Sequence, residues 1–575
     1  MNKNEIIDVL NEIADILELL NENPFRVRAY RNAARTLENL SESLENLIQE
    51  EKLEKLPGIG KDLSEKITTL FTKGKLPFFQ ELKKKIPKGL SELLEIEGLG
   101  PKKIASLYKK GIKSSKELKK ACEEGKIAKI SGFGEKTQKN ILSSQENIKR
   151  YSSRFLYFKA LQIALPILEE LKKQKSVEIA DIAGSLRRKK ETVGDIDFVA
   201  AANNPKEVMK WFTSLKTVTK VLVKGDTKSS IKTTERIQID LRIVKKEEYG
   251  YVLHHSTGSK EHNIHLRGLA KEKGLKISEW GIVDKNKKSP ITKKNPTEQD
   301  LYASLGLKYI PPELRENTGE IEAARKNKLP TLIEEKDILG VFHAHTTESD
   351  GKNSLEEMAK AAEKMGFQYL GISDHSKSST QANGLDEKRL EKQISEIKKL
   401  NRSKTFKTHL FSGIECDILG DGTLDFPDNI LKMLDFVIVS IHRGFKGDEK
   451  TMTKRLIKAI ENPHTTMVGH LTGRLLLKRE PYHLNIPKVI DAAIANKKII
   501  EINGQPQRLD MDWRHWHAAS KKGLITSINP DAHSTDGLKF FSLGVNIARK
   551  GWLEKKHILN SWPLEKIISY LKKSK

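Results

Sequence analysis

The sequence predicts a multidomain chain in three blocks: helical hairpins at the N-terminus, an α/β block in the middle and a β/α barrel at the C-terminus. Three observations carry this. A Gly-x-Gly pattern recurs three times within residues 1–150, among stretches with Leu, Ile and Ala at helical spacing. Short β-branched runs such as "VEIADIAGS", "DIDFVAA" and "RIQIDLRIV" crowd residues 151–250. From residue 338 onward, short apolar strands alternate with helical stretches and many end in His or an acid, at 343, 375, 415, 442, 470, 501 and 533. That repeat of about 30 residues suits a β/α barrel, whose active site lies at the C-terminal ends of its strands.

Composition narrows the function classes. The 575 residues exceed one core, and 103 Lys+Arg against 77 Asp+Glu give a formal charge of +26, which suits a polyanionic partner. Only Cys122 and Cys416 are present, so neither a disulfide framework nor a Cys-type zinc site is available. The N-terminal "MNKNEIIDVLNEIADILELL" reads as a helix interrupted by acids, not as a secretion signal. No run approaches the length of a membrane span. The expectation is a cytoplasmic protein without membrane contact.

The three repeats are "LPGIGKDLSEKI" (56–67), "IEGLGPKKIASLY" (96–108) and "ISGFGEKTQKNIL" (130–142). A glycine pair permits a tight turn, and the helix that follows offers unpaired N–H groups and a positive dipole end. Gly58, Gly60, Gly98 and Gly100 are therefore expected to hold DNA phosphates in helix-hairpin-helix fashion. The third pair, Gly132 and Gly134, also reads as a plain inter-helix turn.

In "VGDIDFVAA" (193–201), Asp195 and Asp197 stand at i and i+2, which places both on one face of a strand. Like charges so close are unfavourable without a cation between them. Asp240, inside "RIQIDLRIV", supplies a third carboxylate, and the oxygen-rich set suits Mg²⁺ or Mn²⁺. Two such ions support phosphoryl transfer. Upstream, "AGSLRR" offers Gly184 and Ser185 as phosphate donors, with Arg187 or Arg188 beside them.

"GSLRRKKETVGDIDFV", "QIDLRIV" and "STGSKEHN", in this order, resemble the palm and thumb motifs of family X DNA polymerases. The resemblance covers residues 1 to about 318. It implies a lyase-like helical domain (1–88), a fingers-like helical domain (89–150), a nucleotidyltransferase palm (151–250) and a thumb (251–318). It further implies that Asp195 and Asp197 hold both metals and that Asp240 accepts the primer 3′-hydroxyl proton. Ser185 and Arg188 would grip the incoming triphosphate, with Gly258 and Asn263 against its sugar and base. Where many members carry a Tyr-Phe pair at the sugar, this chain has His255 and Ser256. Lys66 aligns with the family's Schiff-base lysine, although a solvated helix lysine is the plainer reading. Residues 319–337, dense in charge, read as a linker to the last block (338–575).

Twelve of the sixteen histidines follow residue 337. His, Asp and Glu converging at a barrel mouth make a metal site, and imidazole favours Zn, Mn or Fe over Mg. "WRHWH" (513–517) reads as packing. The ordered set "HAHTTESDG", "SDH", "GIECDIL", "SIH", "GHLTGR" and "PDAH" resembles the PHP (polymerase and histidinol phosphatase) family. It implies a distorted (β/α)7 barrel holding up to three ions, Zn²⁺ or Mn²⁺. The matching ligands are His343, His345, Asp350, His375, Glu415, His442, His470, Asp531 and His533. Leu471 and Pro530 are departures beside two of them. Such a site supports phosphodiester hydrolysis, with Arg443 and Arg474 as candidate phosphate contacts.

A family X polymerase followed by a PHP domain is the arrangement of the bacterial and archaeal members. The implied activities are DNA-dependent DNA polymerisation that fills short gaps in repair, a 3′-5′ exonuclease, and incision at abasic sites. The implied partners are gapped or primed DNA and deoxynucleoside triphosphates, bound by a monomer. Two alternatives stay open: a nuclease whose first half only clamps DNA, and a PHP phosphoesterase acting on small phosphates.

Overall fold

The computed structural model describes residues 1, 3–38, 44–86, 89, 92–93, 96, 99–151, 153–284, 289–290 and 295–573. The chain divides into two compact units, Met1–Ser153 and Arg154–Lys575.

The first unit is helical and has two cores. Helices Lys3–Leu19, Pro24–Glu38 and Lys61–Lys73 bury Ile6, Leu10, Ile13, Tyr30, Ile67 and Leu70 at 3–4 spacing. Helices Pro101–Lys109, Ser115–Glu123 and Gly134–Tyr151 enclose the second, around Ile104, Leu107, Leu118 and Ile141. Helix Lys61–Lys73 starts from Gly60 and ends on left-handed Gly74, whose N–H donates to the Leu70 carbonyl.

The second unit opens with a five-stranded sheet. Its strands are β1 (Val177–Ile182), β2 (Asp195–Ala202), β3 (Val218–Val223), β4 (Lys228–Thr233) and β5 (Gln238–Val244), in spatial order β1-β2-β5-β4-β3. Only the central β2–β5 pair is parallel. Ile196, Phe198 and Ile239 are buried, alternating with the aspartates. Helices Tyr249–Thr257 and Lys260–Glu272 and a small antiparallel sheet follow.

The last block is a seven-stranded, all-parallel barrel with its strands in chain order: β6 (Gly340–Val341), β7 (Tyr369–Ile372), β8 (His409–Asp417), β9 (Phe436–Ser440), β10 (Met467–Val468), β11 (Ile499–Asn503) and β12 (Thr526–Asn529). A parallel bridge between Ala344 and Ala532 brings the chain leaving β6 to the chain leaving β12. Gly371 and Gly413 make room for Phe436, since a Cβ at either would stand 2.7 or 2.3 Å from its ring.

The barrel and the five-stranded sheet share one hydrophobic core, and Phe158 meets Phe540 edge-on at 5.4 Å. Residues 319–337, expected to be a linker, are packed instead of free. They hold helix Glu320–Arg325, which buries Ile321 and Ala324, and Glu320 accepts from His262 at 2.6 Å with both side chains fully buried. Charge density misled here because the acid that seemed solvated has a partner 58 residues upstream.

Candidate active sites

Asp197 and Asp240 are register partners across the parallel pair β2–β5, and Asp195 faces Gln238 two positions away. The three carboxylates thus share one sheet face. Burial, then Asp195 and Asp240, push the Asp197 carboxyl up to about 7, and burial and Asp240 raise Asp195 as well. Among the described residues none of the three has an ion pair, although Gln238 donates to Asp240 at 2.9 Å. Crowded, half-buried carboxylates whose nearby cations, Arg154, Lys228 and Arg188, form no ion pair with them fit divalent cations.

Gly184 has φ +61°, and a Cβ there would stand 2.0 Å from Asp197 Oδ2. The glycine read from the sequence as a phosphate donor is therefore also what lets Asp197 sit in place. Ser185 follows it in the short helix Gly184–Arg187. Arg188 donates from Nε to Glu316 at 3.1 Å and from Nη1 to the Thr257 carbonyl, beside Gly258 at φ +71°. Arg187 is instead spent on structure, paired with Glu298 at 2.6 Å. His255 and Asn263 line a small cavity with Leu266, Arg267, Ile277 and Ser278. Asn263 donates to the His255 carbonyl at 2.9 Å and its buried Oδ1 has no hydrogen-bond partner. His255 Nδ1 stands 3.5 Å from Glu279.

In the N-terminal unit, Gly58 has φ +78° and Ile59, between the glycines, is buried. A Cβ at Gly60 or Gly100 would meet nothing within 4 Å, so these helix starts are open to an approaching group. Gly98 lies outside the described residues. Lys66 is not a solvated lysine. Its Nζ donates to Asp62 at 2.6 Å and Tyr30 at 2.9 Å, and lies 4.7 Å from the Phe78 ring centre. Burial pulls the ammonium down, but Asp62 and Tyr30 outweigh it and the net shift is upward. A Schiff-base nucleophile needs the opposite.

The barrel site sits where the strands end. His343 and His345 follow β6, His375 follows β7, Glu415 lies in β8, His442 follows β9, His470 follows β10, and Asp531 and His533 follow β12. Glu415 is central: its oxygens lie 3.2 Å from His343 Nε2, 3.1 Å from His375 Nδ1, 3.2 Å from His442 Nε2 and 2.8 Å from His470 Nε2. Asp350 is 3.6 Å from His375 and 3.5 Å from His533, and Asp531 is 3.4 Å from His345.

Three groups within this constellation bring their ligand atoms within 4.8 Å of one another: His345–Asp350–His375–His533, His343–His345–Glu415 and His375–Glu415–His442. Buried ring nitrogens of His343, His345 and His375 have no hydrogen-bond partner, as metal-ready ligands require. Burial drives His375 down to about 3, which keeps it a neutral ligand. Burial also opposes ionised Glu415, but the surrounding histidines overcome it and hold the carboxyl well below its usual range. His470 and Asp531 lie against these groups, with φ of +22° and +51°.

Glu501 and Asp417 form an outer layer that ligand matching passed over. Glu501 accepts from His343 Nδ1 at 2.7 Å, and Asp417 accepts from His442 Nδ1. Glu501 had a signal, since it falls in the series of strand-end residues. Arg474, expected at the scissile phosphate, is turned away. It is bonded to Glu191 at 2.6 Å, to Asp512 at 3.2 Å and to the Arg508 and Leu509 carbonyls, with its side chain 7% exposed. The arginine beside the cluster is Arg508, whose Nε lies 3.4 Å from Asp531. Arg443 is exposed and donates to Thr380 and Gln381. In "WRHWH", Trp513 and Trp516 are buried as packing.

Family models match four parts of the chain: a helix-hairpin-helix domain at 1–76, a SAM-like helix-hairpin-helix tandem at 90–144, a DNA polymerase beta thumb at 252–316 and a PHP domain at 342–505. The DNA polymerase/3′-5′ exonuclease PolX of Bacillus subtilis is 40% identical over 578 aligned residues, covering all of both chains. The chain belongs to the PolX family. Probable phosphatases match a smaller share of the chain. One from Thermoanaerobacter sp. is 29% identical over 40% of this chain and 94% of its own length. Another, from Caldicellulosiruptor bescii, is 34% identical over 28% of this chain and 63% of its own. Among the described residues of this PolX member, no helix is long and apolar enough to cross a membrane.

Proposed function

We propose that this chain fills short gaps in DNA as a cytoplasmic, monomeric repair polymerase, and that its barrel trims 3′ ends and incises abasic sites. The observation that carries the polymerase reading is the Asp197–Asp240 register pair with Asp195 on the same face. Two divalent ions, Mg²⁺ or Mn²⁺, would be held by these carboxylates and would supply Lewis acidity at the phosphoryl group. Asp240 takes the primer 3′-hydroxyl proton, Ser185 and Arg188 orient the triphosphate, and Asn263 and Gly258 border the nucleotide. The helix starts at Gly60 and Gly100 hold the DNA backbone without reading sequence.

In the barrel, the nine ligands would hold Zn²⁺ or Mn²⁺, which would supply Lewis acidity at a phosphodiester. Glu501 and Asp417 orient His343 and His442 from behind. Arg508 is the cation placed to meet the scissile phosphate.

The test uses a 5′-labelled primer on gapped duplex DNA with Mn²⁺ and all four deoxynucleotides, comparing the intact protein with Asp240→Ala. Extension by the first and shortening alone by the second is the expected result. Shortening by both would leave only a nuclease with a DNA clamp.

A further inference from the structure

The segment that carries Arg188 is gripped from the barrel. Lys550, the last residue of helix Phe541–Lys550, is fully buried. Its Nζ donates to the Arg188 carbonyl at 2.9 Å, the Glu313 carbonyl at 3.2 Å and Glu316 Oε1 at 2.7 Å. The same Glu316 oxygen accepts from Arg188 Nε at 3.1 Å. Lys550 is thus bonded both to the backbone of Arg188 and to the carboxylate that holds its side chain.

Neighbouring contacts repeat the theme. Arg474 of the barrel pairs with Glu191, and Lys190 and Lys550 lie 5.5 and 4.7 Å from the Trp513 ring centre. Arg549 pairs with Glu313 at 2.9 Å. Burying an ammonium and several carboxylates costs free energy that apolar packing would avoid. Such an array is better suited to holding a geometry than to adding stability.

We propose that Lys550 is a positioning residue for nucleotide binding in the palm, fixing Arg188 through Glu316 so that its guanidinium meets the incoming triphosphate. This rests on the reading of Arg188 as a triphosphate contact. The barrel then serves polymerisation directly, apart from its own hydrolytic site.

The experiment measures KM and kcat for a deoxynucleotide on gapped DNA, and exonuclease rate on single-stranded DNA, in the full chain. The variants are Lys550→Met, Lys550→Arg, Lys550→Met/Glu316→Gln and Arg188→Ala. The expected result is that Lys550→Met raises the nucleotide KM about tenfold, kcat changes less than threefold and the exonuclease stays within twofold. Lys550→Arg restores KM, and the double variant, which also takes from Arg188 the carboxylate that holds its side chain, still shows the raised KM. An unchanged KM in Lys550→Met, where Arg188→Ala raises it, overturns the positioning role. A parallel loss of both activities in Lys550→Met and the double variant also overturns it, since Lys550 would then only hold the fold. An unchanged KM in Arg188→Ala marks failure of the underlying reading of Arg188 instead.

Discussion

Asp197 and Asp240 stand opposite each other on adjacent parallel strands, and among the described residues neither has an ion-pair partner. Folding has brought like charges into contact for a purpose that the folded chain alone does not serve. Asp197→Asn is expected to abolish polymerisation, by at least about 10³-fold, while raising the melting temperature of the metal-free protein. Primer extension and calorimetry in chelator check both halves.

Glu415 touches four histidines at once, so its loss is felt by every neighbouring ligand. Glu415→Gln should lower the metal content of the purified protein, read by mass spectrometry, and remove exonuclease activity. Primer extension should persist.

Arg508 and Arg474 should separate cleanly. Arg508→Ala is expected to slow the exonuclease at least about tenfold with little change in melting temperature, as loss of a phosphate contact would. Arg474→Ala strands Glu191 and should cost about 3 kcal/mol of stability, the usual penalty for breaking a buried pair. Denaturant unfolding measures the second.

Acid should loosen the thumb. Burial holds His254 well below its ordinary value and also lowers His262, so both stay neutral in the folded protein. The unfolded chain takes up those protons first as pH falls below about 6.5, so stability is present above that pH and declines beneath it. Melting temperatures from pH 7.5 to 5 should fall, and His254→Asn should flatten the decline.

Much of both sites was legible in the sequence because their chemistry is periodic. Asp195 and Asp197 at i and i+2 declare a shared strand face, and His343, His375, Glu415, His442 and His470 each mark a strand end. What could not be read depends on distant partners. Arg474 looked free until Glu191, 283 residues earlier, appeared beside it. Lys66 looked solvated because Tyr30 and Phe78, which enclose it, lie on other helices. Glu320 looked like linker charge for the same reason.

The core shared between the five-stranded sheet and the barrel has a stoichiometric consequence. Synthesis and trimming are carried by a single folding block, so every molecule that can extend a strand also brings the means to shorten one. A cell cannot tune the ratio of the two by expressing one without the other. A substitution that unfolds the barrel removes both, and only changes confined to one site, or to a residue that positions it, can set one against the other.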